Sequence, residues 1–150
     1  MDYANYALYG VTQKNLDRLR RVQCSLARVV AGPKASMLND SDTLLCNSHW
    51  LPVMCRIDFK LAVLTFKARS ATAPTHLSNL IKSHAPVRTL RSSTANLLHL
   101  PAHKLSFGSS GFRIAAPAIW NSLPTHIRFC TTLSSFRSNL KTHYYHSALG

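Results

Sequence analysis

Apolar residues recur at intervals of three and four along residues 14–31, KNLDRLRRVQCSLARVVA, at Leu16, Leu19, Val22, Leu26, Val29 and Val30. The spacing predicts an amphipathic helix with this stripe turned toward a core. Lys14, Arg18, Arg21 and Arg28 fall together on another face. Thr12 stands where an N-cap belongs, and Gly32-Pro33 supplies the stop. A polar connection over 34–48 follows, with a helical turn near Thr43 to Cys46. Helical periodicity then resumes from Pro52, a residue suited to a first helical turn, and continues to about Ser70. Val53, Ile57, Leu61, Leu64 and Ala68 make one stripe there; Phe59, Val63 and Phe66 make a second on the far side. Two apolar faces imply partners on both sides, so this helix is expected to be central. Arg56, Lys60 and Lys67 project from a seam between the stripes.

Beyond the Ala73-Pro74 break, Thr75 to His84 reads as a short helix with Leu77, Leu80 and Ile81 inward, followed by a basic loop, Ala85 to Thr94, that carries Arg88 and Arg91. Leu97 to Leu100 and Lys104 to Phe107 are short apolar runs bounded by Pro101 and Gly108, which predicts a minor β-hairpin near residues 97–107. Phe112 to Leu123 reads as a helix disturbed at Pro117 and stopped by Pro124. Leu133, Phe136, Leu140 and Tyr144 space out a C-terminal helix capped near Thr132 or Ser134, with Arg137 and Lys141 as an i,i+4 basic pair. The expected architecture is a mainly α single domain over 1–150. Its length suits one core.

Charge sharpens the picture. Eighteen Lys and Arg stand against five Asp and no Glu, for a formal net charge of +13. All five acids lie within the first 58 residues, and the remaining 92 hold eleven cations and no acid. Such a chain is expected to bind polyanions non-specifically through counterion release. The candidate contacts for RNA or DNA are Lys14, Arg18, Arg21, Arg28, Arg56, Lys60, Lys67, Arg88 and Arg91. Tyr144, Tyr145, Phe112, Trp120 and Phe129 lie among cations and would allow base stacking, although the spacing of Phe112, Trp120 and Phe136 favours a core role. The chain opens without a cationic, then apolar leader, and its longest apolar run, Leu61 to Phe66, is far too short for a membrane span. An intracellular protein, nuclear or cytoplasmic, with reduced thiols is the expectation.

Other chemistry finds little support. Two-metal nucleotidyl transfer needs clustered carboxylates, and the one close pair is Asp40 and Asp42 in a polar loop. Cys46, His49 and Cys55 match no strong zinc spacing, and His143 and His146 match no metalloprotease signature. Gly108 to Gly111 lacks the lysine of a phosphate loop and reads as a turn. No cofactor, metal site or catalytic residue is expected.

Several stretches do fall into a recognisable order. They are Asp2-Tyr3-x-Asn5 with Leu8-Tyr9-Gly10, Leu16-x-x-Leu19-x-x-Val22-Gln23, and His49-Trp50-Leu51-Pro52-Val53 with Arg56-Ile57-x-Phe59-Lys60. Ala73-Pro74-x-x-Leu77 and Leu90-Arg91-Ser92-Ser93 follow, then Ala116-Pro117-x-x-Trp120-Asn121-Ser122-Leu123-Pro124 and Ser135-Phe136-x-x-x-Leu140-Lys141. In this order they resemble the C-terminal, thumb-like segment of the reverse transcriptase of LINE-type (non-LTR, Jockey-like) retrotransposons. The resemblance implies a helical segment that follows the polymerase palm. The palm's paired aspartates and the family's endonuclease are not among these residues. The chain is therefore expected to be non-catalytic, a stand-alone frame from a truncated element or a gene model cut from one. Its expected partners are RNA or DNA and the palm itself. The rival readings are a transposable-element remnant without function and a basic protein–protein interaction module.

Overall fold

The computed structural model describes residues 8–32, 41–85, 96–102 and 111–149. Its described elements are helices: α1 Gln13–Ala31, α2 Ser41–Asn47, α3 Val53–Arg69, α4 Thr75–Leu80, α5 Phe112–Ser122, α6 Thr125–Arg128 and α7 Leu133–Leu149. The mainly α architecture matches the periodicity. The expected central helix is α3, which touches α1, α4, α5 and α7. Both stripes contribute to its burial. Ile57, Leu61 and Ala68 from one and Phe66 from the other are buried, and between them Ala62 and Thr65 are fully covered. Thr65 satisfies its hydroxyl by donating to the Leu61 carbonyl at 2.8 Å.

The larger core lies between α3, α5 and α7. Leu61, Phe66, Ile119, Trp120, Phe136 and Leu140 are among its members. Phe136 stacks on Phe66 at 4.6 Å and on Trp120 at 5.7 Å between centroids. Pro117 is buried inside α5, where it forfeits the backbone bond to the Arg113 carbonyl. The helix runs through it nonetheless, held by the packing of Ala115, Ala116 and Ile119. Leu123 then leaves the helix in an extended conformation, and Pro124 occupies the N-cap of α6, an element the periodicity did not reveal. Thr132 caps α7: its Oγ1 accepts from the Ser135 N–H at 3.2 Å.

A smaller core joins α1 to α2 through Cys24, Ala27, Leu44 and Leu45, with Trp50 against it. Here the expectation for α1 fails. Leu16 is buried, but Leu19, Val22, Leu26, Val29 and Val30 are exposed, and the inward face is Leu16, Gln23, Cys24 and Ala27. Gln23 tolerates burial because its amide donates to the Leu51 carbonyl at 2.7 Å. Thr12 does occupy the N-cap of α1, yet its side chain makes no capping bond. Gly32 ends the helix at φ 60°, in the left-handed region that glycine enters without strain, and returns its N–H to the Arg28 carbonyl.

Two further expectations shift. The helix beginning at Thr75 ends at Leu80, earlier than periodicity suggested, and Leu80 is exposed. Ile81 turns the chain extended so that Ser83 can pair antiparallel with Leu98. Among the described residues this bridge is the β pairing present. Residues 103–107 of the expected hairpin, the turn at 108–110 and most of the basic loop lie outside the described residues. Leu98 is clamped from its other side by Asn121, whose side-chain amide donates to the Leu98 carbonyl and accepts from the Leu98 N–H, both at 2.9 Å.

Candidate nucleic-acid interface

The structure sorts the predicted cations into two rows. Arg56, Lys60 and Lys67 stand along α3 at steps of four and seven residues, so they share one edge, turned away from the Ala62–Thr65 seam. All three are half-buried. Val53, Val63 and Leu64, which flank them on the helix, are also half-buried, a setting in which long cationic side chains can cover apolar surface with their stems. From Arg56 to Lys67 the row spans about 16 Å at the helical rise of 1.5 Å per residue. That is the axial length of about five phosphates on one strand. Lys67 also lies in the last turn of α3, where the helix dipole favours a cation.

Lys14, Arg18, Arg21 and Arg28 make the second row, exposed along one face of α1. Arg20 falls off that face and instead pairs with Asp42 of α2. Both partners of this pair are about half exposed, so it adds no more than about 1 kcal/mol. Arg88 and Arg91 lie outside the described residues.

Not every cation belongs to this surface. Arg69 lies over the Trp120 ring at 4.6 Å and donates to the Asn96 side chain. Burial holds its guanidinium below the usual range. Asn96, at φ 54°, also accepts from the Trp120 indole N–H at 2.8 Å and donates to the Arg128 carbonyl at 2.7 Å. Arg69, although its residue surface is largely open, and the buried Trp120 are therefore parts of the scaffold, and Arg128 is buried. Asp58, on α3, is the counterpart among the acids: burial lifts its carboxyl from 3.8 to about 6. Its charge in turn adds to the burial that pushes up Tyr9, Cys55 and Tyr144.

Residue spacing did not reveal a shallow cavity of about 310 Å³ lined by His49, Lys141, Thr142 and Tyr145. Two elements build it. Helix α2 closes with His49 at φ 52°, while the Trp50 N–H bonds back to the Leu45 carbonyl at 2.9 Å. From α7, Tyr145 crosses to donate its hydroxyl to the Cys46 carbonyl at 2.9 Å, with the Cys46 thiol 3.0 Å away. The bond to the Cys46 thiol is the main cause that pushes the phenol up. The ring centroids of His49 and Tyr145 lie 6.2 Å apart. The signal available in the sequence was the i,i+4 pair Lys141 and Tyr145, which puts a cation and an aromatic on one face of α7. Tyr145 is thus a half-buried joint between helices, and Cys46 is its hydrogen-bonding partner. Among the described residues, no three His, Cys or Asp side chains gather as a metal site, and no helix is long and apolar enough to cross a membrane.

Comparison with known proteins leaves this geometry to stand alone, since no family model, no curated protein and no solved structure matches the chain.

Proposed function

We propose that these residues form a non-catalytic segment derived from a retrotransposon RNA-directed DNA polymerase, and that they bind RNA or DNA through a basic surface without sequence preference. The observation that carries the reading is the row Arg56, Lys60 and Lys67 on the outer edge of the most enclosed helix. Cations placed on a rigid, packed element meet a phosphate backbone at fixed spacing and lose little freedom on binding. The exposed row on α1 adds a second strip of positive charge. The order of HWLPV, RIDFK and WNSLP supports the polymerase ancestry, and five Asp without a single Glu support the absence of catalysis.

Titration of duplex RNA and duplex DNA with the full chain across 50–200 mM salt tests the binding. Log affinity should fall linearly with log salt, at about 0.9 per neutralised phosphate. An affinity independent of salt, or no binding at 50 mM, defeats the reading. Primer–template, nucleotides and magnesium should yield no extension; extension that survives repurification would remove the non-catalytic half of the proposal.

A further inference from the structure

Five large aliphatic side chains of α1 face solvent: Leu19, Val22, Leu26, Val29 and Val30, with Val29 79% and Val30 69% exposed. Their spacing sets them on one stripe through the last three turns of the helix, about 16 Å long at 1.5 Å per residue. Exposed singly, such residues need no explanation. As a contiguous strip on the order of several hundred Å² they match the size at which exposed apolar surface on a monomer is usually functional. The strip does not serve the helix, because valine is a poorer helix former than the Lys, Gln or Arg that a solvated face would carry. Nor does it serve the core, which α1 meets through Leu16, Gln23, Cys24 and Ala27.

We infer that this strip is the docking face for one amphipathic helix of a partner protein whose apolar side is edged by Glu and Asp. Charge selects that occupant. Arg18 borders the strip, with Lys14, Arg21 and Arg28 beyond it on the cationic face, while Asp17 is the sole acid of α1 and is already engaged by Gln13 at 2.9 Å. A second copy of the chain would bring another body of charge +13 against the first. A bilayer is the poorer fit, because the strip holds only Leu and Val and none of the Trp or Tyr that anchor helices at a lipid interface. An acidic amphipathic helix satisfies both parts of the surface, its apolar ridge on the strip and its carboxylates against the cations. The inference does not rest on the nucleic-acid reading, since the apolar strip carries it, although the two share the cationic edge of α1.

The test uses the full chain at 150 mM salt and a fluorescein-labelled synthetic 18-residue peptide. The peptide carries Leu at helical spacing and Glu along both edges. Two control peptides accompany it: the same residues scrambled so that Leu forms no stripe, and a version with Lys in place of Glu. Wild type should bind the acidic amphipathic peptide at least tenfold tighter than either control. The double substitution Leu26→Ser with Val29→Ser should remove that tenfold preference while leaving the RNA salt slope unchanged. Because both side chains are exposed, the melting temperature should hold; if it drops, Val29→Lys, at the most exposed of the five, repeats the test. Equal binding of the scrambled peptide would reduce the effect to polycation adhesion and overturn the inference. An unaltered double variant would overturn it too. So would a dimer of the chain alone that the substitutions dissolve, or binding to phosphatidylserine vesicles without binding to the peptide.

Discussion

Replacing Arg56, Lys60 and Lys67 together with Gln isolates the α3 row as a phosphate-binding edge. Each of the three residues is half-buried, as suits a long side chain with an apolar stem and a charged head. Glutamine keeps part of the stem and removes the charge, so the packing of α3 should survive and the melting temperature should not move. Net charge falls from +13 to +10. If each cation neutralises one phosphate, the slope of log affinity against log salt should flatten by roughly 2–3, at about 0.9 per contact. Between 50 and 200 mM salt, wild type should then lose about forty times more affinity than the variant. Fluorescence anisotropy with a 20-base-pair RNA duplex reads both slopes. The matched control replaces Arg113, Arg137 and Lys141, exposed cations of α5 and α7, and removes the same three charges. A general polycation effect would make the two triple variants equal. Equal slopes, with both proteins folded, would refute the assignment of the α3 row as a site and leave only a diffuse basic surface.

Other outcomes follow from the packing and the buried acid. Leu61→Ala, at 2% exposure in the larger core, should cost about 2–5 kcal/mol in urea unfolding, whereas Leu26→Ala on the exposed strip should cost less than about 1 kcal/mol; similar costs would mean that α1 is turned the other way. The Asp58 carboxyl binds its proton more tightly in the folded chain, at about 6, than in the unfolded one, near 3.9. The stability this contributes is complete below about pH 4 and is lost as pH rises through 6. The displacement bounds the effect at about 3 kcal/mol, and screening of a carboxylate with more than a third of its surroundings open trims it to about 1 kcal/mol. Asp58→Asn should therefore stabilise the protein at pH 7.5 and leave it unchanged near pH 4; a gain of the same size at both pH values would rule out the titration as its source.

What residue spacing disclosed, and what it hid, follows from the geometry of α1 and α3. Periodicity reports which residues share a face. For α3 that was sufficient, because a helix with apolar residues on two sides has few alternatives to the centre. For α1 it was misleading, because the largest aliphatic stripe is not the one that packs. Helices approach closely where side chains are small, and Cys24, Ala27 and Ala31, spaced by three and four, let α2 press Leu44 and Leu45 into complete burial. That small-residue stripe was present in the sequence but weighed less than Leu and Val on any hydrophobic count. The early end of α4 was hidden for another reason. It depends on the Ser83–Leu98 bridge, a pairing fifteen residues apart that no local window contains.

The candidate site was legible only as far as helical spacing reaches, and the motifs behind the polymerase resemblance show why. In WNSLP, Trp120 is fully buried and donates to Asn96, Asn121 clamps Leu98, Leu123 fills the core and Pro124 starts α6. In HWLPV, His49 takes the left-handed position that closes α2, Trp50 packs against the smaller core, and the Leu51 carbonyl accepts from the Gln23 amide. These words are specific because each residue meets a geometric demand of the scaffold. Packing alone accounts for them, and they place no group against a nucleic acid. The exposed cations Lys14, Arg18 and Arg21 of α1 meet no such demand, since a surface helix tolerates Lys, Gln or Glu at similar cost. The packed scaffold is thus compatible with a charged surface that binds nucleic acid and with one that does not. Only the salt slope of the charged rows, measured apart from stability, separates those two cases.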